Sequence, residues 1–382
     1  MSNSVGRIRN QGVLRVSPVP SSPFRREILV DSPRGKRVLY WSVDDESLPI
    51  GTEDLLDDAL VALIPLAQFH GWRMHLEGDV TREQVANMRE YQEAWVALRP
   101  DIYSMVDITY RNALPTESAT HPRTAVLAYS GGVDSTHAAV TGASVHRGRR
   151  ALEITRGVLI AGFDIGLDDT ASIARAHGSA QHILNKLEIP LVVVSTNWRE
   201  DFSPNYTMSF GLGLAAVLHQ FRATFDAGLI ATDATYATEV GAWGRDSTIN
   251  RMSGSRAFPF PTIGATASRR DKITAISHID VVREHLRVCW QPNARGANCG
   301  HCGKCVRTKL GFAASGYPAT AALGSTSPEE VASVALSMWD RIFLEDMLVN
   351  PGELDAGLLT AIRQRISISA LPSTHDSTQG RI

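Results

Sequence analysis

The sequence predicts an α/β protein built on a doubly wound parallel sheet, with a small α/β domain ahead of it and a helical part behind it. Three observations carry this expectation. Short apolar runs alternate with stretches of helical spacing through the middle of the chain. Those runs are nearly continuous rather than alternating with polar residues, so helices should cover both faces of the sheet. The chain has 382 residues, more than the roughly 100–200 of one ordinary domain, so a large unit with smaller additions is expected.

Residues 1–35 are polar and proline-dotted, with short β-like runs at Val13–Val16 and Glu27–Val30. They predict an extended arm or small hairpin with little core of its own. Residues 36–115 predict the small α/β domain. Its elements are a strand at Arg37–Val43, a helix at Thr52–Phe69, a strand at Trp72–Leu76, a helix at Thr81–Leu98 and a strand at Ile102–Ile108. Thr52 is the expected N-cap of the first helix, with Leu55, Leu56, Ala59, Leu60 and Leu63 on one face. Thr81 and Gln84 have capping-box spacing at the second. Asn112–Arg123 holds two prolines among small polar residues and reads as a linker.

The main unit spans residues 120–315. Strands are expected at Thr124–Tyr129, Gly157–Phe163, Pro190–Ser195 and Leu229–Thr232, with helices at Asp134–Val145, Asp168–Leu187 and Ser209–Phe225 between them. Helices at Cys305–Ala314, Pro328–Met338 and Gly352–Ile366 follow, so residues 316–372 form a helical extension. Residues 373–382 are polar and expected to be disordered.

Composition narrows the function. Hydrophobic residues make up 43%, enough for a sizeable core, and the net charge is −2. A basic face that tracks a phosphate backbone is not advertised, which speaks against nucleic acid as a partner. The first residues contain no apolar signal-peptide core. No apolar stretch approaches the roughly 18 residues of a membrane span. A cytoplasmic protein is expected, and a homo-oligomer is left open.

The strongest local signal is Tyr129-Ser130-Gly131-Gly132-Val133-Asp134-Ser135-Thr136, between an expected strand and an expected helix. Two glycines without Cβ atoms let backbone N–H groups curl around an anion. The helix N-terminus adds its dipole and unpaired donors. Ser130 and Ser135 supply hydroxyls at the two ends of the loop. A capped Gly-Gly turn with no ligand would look similar, but the full run in this context favours a nucleotide. No G-x-x-x-x-G-K-[ST] run occurs, so transfer of a γ-phosphoryl group is disfavoured.

The Ser130–Ser135 run resembles the signature of the PP-loop ATP pyrophosphatases, the adenine nucleotide α-hydrolase-like superfamily. The resemblance implies that the loop grips the β- and γ-phosphates of ATP as the leaving group. A substrate oxygen then attacks the α-phosphate, giving an adenylate and pyrophosphate, and a nitrogen or sulfur nucleophile displaces AMP. Carried over, Ser130, Gly131, Gly132, Val133, Asp134, Ser135 and Thr136 form the nucleotide site, with Mg²⁺ near Asp134.

All four cysteines of the chain, Cys289, Cys299, Cys302 and Cys305, lie in one short segment. Clustered thiols in a reducing compartment read as metal ligands, and four suffice for a tetrahedral Zn²⁺. Asn298, Gly300 and Gly303 suit tight turns, while Lys304 and Arg307 would offset thiolate charge. His301 is expected to sit in solvent beside the site. An iron–sulfur cluster is the rival occupant. A late cysteine set on a chain with this loop is similar to the 7-cyano-7-deazaguanine synthase-like group, which implies a structural zinc near the active site. That group carries a Gln-Arg-His run after its second strand, whereas this chain has Phe163-Asp164-Ile165-Gly166-Leu167-Asp168-Asp169. The acceptor therefore stays open.

Strand-end residues in a doubly wound sheet face the ligand crevice. Asp164, Ser195, Thr196, Asn197, Thr232, Asp233 and Thr235 are candidates on that rule, with Asp164, Ser195 and Thr196 assigned to the nucleotide. Each is also an ordinary loop or cap residue type. Trp243–Pro261, with Arg245, Arg251 and Arg256, reads as a long loop of the kind that serves as a lid. Arg269 and Lys272, spaced three apart, share one helix face. There they either stabilise a departing pyrophosphate as catalytic cations or form a solvated helix start. His137 and His219 are expected to be packing or surface histidines. The leading expectation is an ATP-dependent adenylating enzyme acting on a small-molecule acceptor. A sulfurtransferase and a nucleotide-dependent partner module are the alternatives.

Overall fold

A computed structural model of the chain describes residues 12–51, 55–116, 124–145, 152–239, 244 and 247–368. The chain opens with strands β1 (Val13–Pro18), β2 (Arg25–Ser32) and β3 (Gly35–Val43), paired as an antiparallel meander. Helix α1 (Asp57–His70) leads to β4 (Arg73–Leu76), which pairs parallel with β1. A short β5 (Val80–Thr81) precedes α2 (Arg82–Leu98), and β6 (Ile108–Tyr110) lies parallel to β4. A two-residue β7 (Ala113–Leu114) pairs with β5 apart from the main sheet.

The second half alternates strand and helix. It runs through β8 (Thr124–Ala128), α3 (Val133–Val145), β9 (Glu153–Ala161), α4 (Thr170–Lys186) and β10 (Leu191–Thr196). Next come α5 (Trp198–Phe202), α6 (Tyr206–His219), β11 (Ala227–Ala231), α7 (Ser247–Met252) and β12 (Thr262–Ile263). These five strands are mutually parallel, in the order β12-β11-β8-β9-β10. Helices cover both faces, as expected of a doubly wound sheet. Along β8, Val126 enters the core that holds α1, α2 and α6, while Ala125 and Leu127 enter the core that holds α3 and α4.

The expected boundary between the two α/β parts does not interrupt the sheet. The outer edge of β10 pairs antiparallel with β3, so the ten strands run on as β12-β11-β8-β9-β10-β3-β2-β1-β4-β6. Residues 13–32, read from sequence as part of an extended arm or small hairpin with little core of its own, pair as a hairpin whose two strands lie inside the sheet. Leu14, Val16 and Ile28 are fully buried there. The physical reason is period-two alternation: Leu39, Trp41 and Val43 of β3 and Val192 and Val194 of β10 all point into one shared core. A buried ion pair, Arg26 to Asp58 at 2.6 Å, ties β2 to the first turn of α1.

Caps explain most helix ends. The Thr81 hydroxyl accepts from the Gln84 N–H at 3.3 Å, but the Gln84 amide donates to the Met252 carbonyl, so only half of the expected box forms. Thr52 lies outside the described residues. Asn205 caps α6 by accepting from the Met208 N–H. The C-terminal part contains α8 (Arg269–Ser277), α9 (Asp280–His285) and α10 (Gly303–Ala314). A hairpin of β13 (Ala319–Thr320) and β14 (Gly324–Ser325) follows. The chain then forms α11 (Pro328–Ser333), α12 (Met338–Val349) and α13 (Ala356–Ile368). The single helix expected at Pro328–Met338 breaks at Val334, and Ser337 with Asp340 starts α12 through a full capping box. Among the described residues no helix is long and apolar enough to cross a membrane.

Candidate functional site

Counted within the parallel half, the strand order reverses at β8: β9 lies on one side and β11 on the other. Ligands of doubly wound sheets bind outside the carboxyl ends of strands at such a reversal. The Tyr129–Thr136 run occupies that position, between β8 and α3. Gly131 has φ +75°, a left-handed conformation that glycine adopts without strain. The loop is braced from within. Ser135 Oγ donates to the Gly132 carbonyl at 3.2 Å, and Ser130 Oγ accepts from the Gly132 N–H at 3.3 Å. The two serine hydroxyls lie 3.3 Å apart. Below them, the Tyr129 phenol and the Thr136 hydroxyl share a buried hydrogen bond of 3.0 Å.

Cations gather in front of the loop. Asp134, in the first turn of α3, accepts from Arg269 Nη1 at 2.5 Å and Lys272 Nζ at 3.3 Å. Lys272 is fully buried and also donates to the Thr232 carbonyl at 2.6 Å. A complete Ser268–Asp271 capping box fixes the start of α8 and thereby aims both cations. Helix α10 adds Lys304 and Arg307. Burial holds Lys304 below the usual lysine range, opposed by Asp164 and reinforced by Arg307 and Arg269. Arg307 is likewise held down by burial and by Arg269, and it donates to Asp340 at 2.8 Å. Burial, then Lys272, holds His137 low. The buried Nε atoms of Arg269 and Arg307 have no partner among the described residues. Buried donors without partners cost free energy, so a cluster of cations carrying them is suited to an anion.

The four cysteines converge. Their sulfurs all lie within 4.8 Å of one another. Cys289 and Cys302 are 3.8 Å apart, and Cys299 and Cys305 are 3.9 Å apart. A tetrahedron with metal–sulfur bonds of ~2.3 Å has edges of about 3.8 Å, so the set could hold a single metal ion such as zinc. The neighbouring thiols, Cys305 first and then Cys299 and Cys289, hold Cys302 below the usual cysteine range against the opposing effect of burial. Cys305 is correspondingly pushed up, and burial raises Cys289. His301 stays outside the set, exposed, with Nδ1 2.8 Å from the Cys299 carbonyl.

Other candidates have local partners. Thr196 is buried and accepts from the Trp198 N–H at 3.2 Å, and Ser195 pairs with Ser42 across the β10–β3 seam. Asn197 is bound to β3 through the Tyr40 N–H and the Val38 carbonyl. Asp164 is exposed, 3.5 Å from the Tyr206 hydroxyl, and close enough to Lys304 to raise it. The Thr232 hydroxyl donates to the Ile263 carbonyl at 3.2 Å, and the Thr235 N–H donates to Thr238 Oγ1 at 3.0 Å. Asp233 is half-buried beyond the end of β11. Arg256 pairs with Glu83 on α2 at 3.1 Å. Arg251 lies in the last turn of α7, while Trp243 and Arg245 lie outside the described residues. His219 is buried and bonded to the Ser253 carbonyl, a packing residue as expected. No family model, curated protein or solved structure matches the chain.

Three members of the site were not legible as such. Lys304 and Arg307, expected only to balance thiolate charge, stand in the cation cluster. Arg287, which no motif marked, hydrogen-bonds to the Gly-Gly loop through the Ser130 carbonyl. Position after Cys302 was the available signal for the first two: a cysteine of the cluster at the N-cap position of α10 places that helix's first turn beside the cluster.

Proposed function

We propose that the protein is an ATP-dependent adenylating enzyme. It cleaves ATP to AMP and pyrophosphate and activates a carboxylate or amide carbonyl of a small molecule for attack by a nitrogen nucleophile. The observation that carries this reading is Asp134, held between Arg269 and Lys272 beside a Gly-Gly loop at the strand-order reversal. The resemblance of Ser130–Ser135 to the PP-loop signature agrees with it.

In this reading the backbone around Gly131 and Gly132, with the hydroxyls of Ser130 and Ser135, binds the β- and γ-phosphates. Arg269, Lys272 and Lys304 oppose the negative charge that grows on pyrophosphate as the α–β bond breaks. Asp134 orients Arg269 and Lys272 before the substrate arrives, so little reorganisation is needed. Asp134 is the carboxylate that would hold Mg²⁺, which would supply positive charge against the phosphates. Zinc is the occupant that the sulfur spacing favours, because four sulfurs within 4.8 Å suit one ion and an iron–sulfur cluster spreads its ligands over several metals. All four cysteines of the chain belong to that set, which leaves no further thiol to carry sulfur and disfavours a sulfurtransferase.

The test follows the fate of ATP in purified protein with Mg²⁺ and a metabolite extract. Wild type is expected to yield AMP and pyrophosphate only with extract, and Asp134→Asn to yield neither. ADP and phosphate as products would sink the reading. Metal analysis is expected to find one zinc per chain; iron with labile sulfide would revive sulfur transfer.

A further inference from the structure

We infer that Arg287 is a positioning residue that couples the four-cysteine site to the phosphate loop, so that a metal on the cysteines sets the shape of the loop. Its consequence for the nucleotide rests on the ATP reading above; the coupling itself does not.

The segment Leu286–Cys289 lies between the two sites and is bonded to both. Towards the loop, the Arg287 N–H donates to the Gly131 carbonyl at 3.0 Å, and Arg287 Nη2 donates to the Ser130 carbonyl at 3.3 Å. Towards the cysteines, Arg287 Nη1 donates to the carbonyl of Cys289 at 3.1 Å. One buried guanidinium thus spans a ligand residue and the loop. Asn298, next to Cys299, clamps the same segment from the other side. Its Oδ1 accepts from the N–H groups of Val288 and Cys289 at 2.9 and 3.2 Å, and its Nδ2 donates to the Leu286 carbonyl at 2.8 Å. Contact is close: a Cβ on Gly132 would lie 3.5 Å from the Arg287 carbonyl.

The cysteine site therefore holds one end of a short lever whose other end is bonded to the loop. Bound to one ion, their four sulfurs fix Cys289 relative to Cys299, and Asn298 and Arg287 carry that position to Ser130 and Gly131. Without an ion, neighbouring thiolates repel unless they take up protons, and the segment loses its anchor.

The experiment uses the full chain in three forms: metal-loaded wild type, wild type stripped by a chelator under reducing conditions, and metal-loaded Arg287→Lys. Lysine keeps the charge, but its single ammonium cannot span the two carbonyls as the guanidinium fork does. Metal content is measured in each. Amide hydrogen exchange of residues 129–136 reports the loop, and equilibrium binding of Mg·ATP reports the nucleotide site. Stripping and Arg287→Lys are each expected to speed loop exchange and to weaken Mg·ATP about tenfold, the factor that ~1.4 kcal/mol carries, with the variant retaining its metal. Unchanged loop exchange in Arg287→Lys overturns the coupling, whatever stripping does. If stripping unfolds the whole sheet, seen as exchange throughout β8–β10, the variant decides alone. A loop that responds in protein that never binds Mg·ATP upholds the coupling and sinks the nucleotide reading.

Discussion

Asp134 sits in the first turn of a helix, where a carboxylate is favourable, yet it also faces the place proposed for phosphates. Its two cation partners resolve the conflict. Lys272 is fully buried, and Asp134 and Arg269 are each only 15% exposed, so the three charges sit in a region of weak screening. Removing one member of such a buried set leaves like charges side by side. Asp134→Ala is therefore expected to destabilise the fold by about 3 kcal/mol in urea unfolding. Asp134→Ala with Lys272→Met removes one of those like charges, so the pair is expected to be less damaging than the sum of the single changes. Additivity within about 0.5 kcal/mol would show that the two groups do not share an interaction in solution. These residues differ in how far they could be read in advance. The Ser130–Ser135 run is a local motif with its own physics, visible without the fold. Arg269 and Lys272 were ambiguous, since a charged helix start looks the same in solvent. Arg287 acts through backbone carbonyls, which carry no mark in the sequence.

At the scale of elements, the parallel strands and their helices were legible because continuous apolar runs and helical spacing are strong signals. β1 and β2 were read as an arm or small hairpin, and they do pair with each other; their flanking prolines and charges hid that pairing with β3 and β4 makes them interior strands. The helices show a titration that sequence alone does not reveal. His219 closes α6 in the core, its Nε2 2.8 Å from the Ser253 carbonyl. Burial holds it down to about 4, from an ordinary 6.5, against the opposing pull of that carbonyl. Between these values the unfolded chain binds a proton that the native chain does not. Stability therefore rises with pH across the window and falls as pH drops from 6.5 towards 4. A shift of this size corresponds to roughly 3 kcal/mol. His219→Gln keeps a donor for Ser253 but cannot titrate, so its urea midpoint is expected to fall less between those pH values than that of wild type. His70, also held down to about 4 by burial, supplies a slope common to both proteins. Equal pH slopes for the two proteins would remove His219 as a source.

For the whole molecule, the β3–β10 seam decides whether the chain folds as one unit or two. Composition around residues 112–123 suggested a linker, and linkers normally separate cores. Here the core containing α1 and α6 draws Leu39 and Trp41 from one side of the seam and Val192, Val194 and Trp198 from the other. The Trp198 indole N–H donates to the Ala62 carbonyl of α1 at 2.7 Å, a buried bond between the two parts. Parting them would open the edge of β10 and leave that donor unpaired, along with a broad apolar face of the sheet. The full chain is therefore expected to unfold in one transition, with tryptophan fluorescence and far-ultraviolet circular dichroism superimposed. A fragment of residues 120–382 contains the Ser130–Ser135 loop, the cation cluster and all four cysteines. It is nevertheless expected to be insoluble or to lack a cooperative transition, because its β10 edge and half of its larger core would face water. A soluble fragment with its own sharp transition would mean that the N-terminal strands are an addition to a self-sufficient sheet. The seam would then be an interface between two domains, and the N-terminal part would be free to serve the acceptor or a partner rather than the stability of the site.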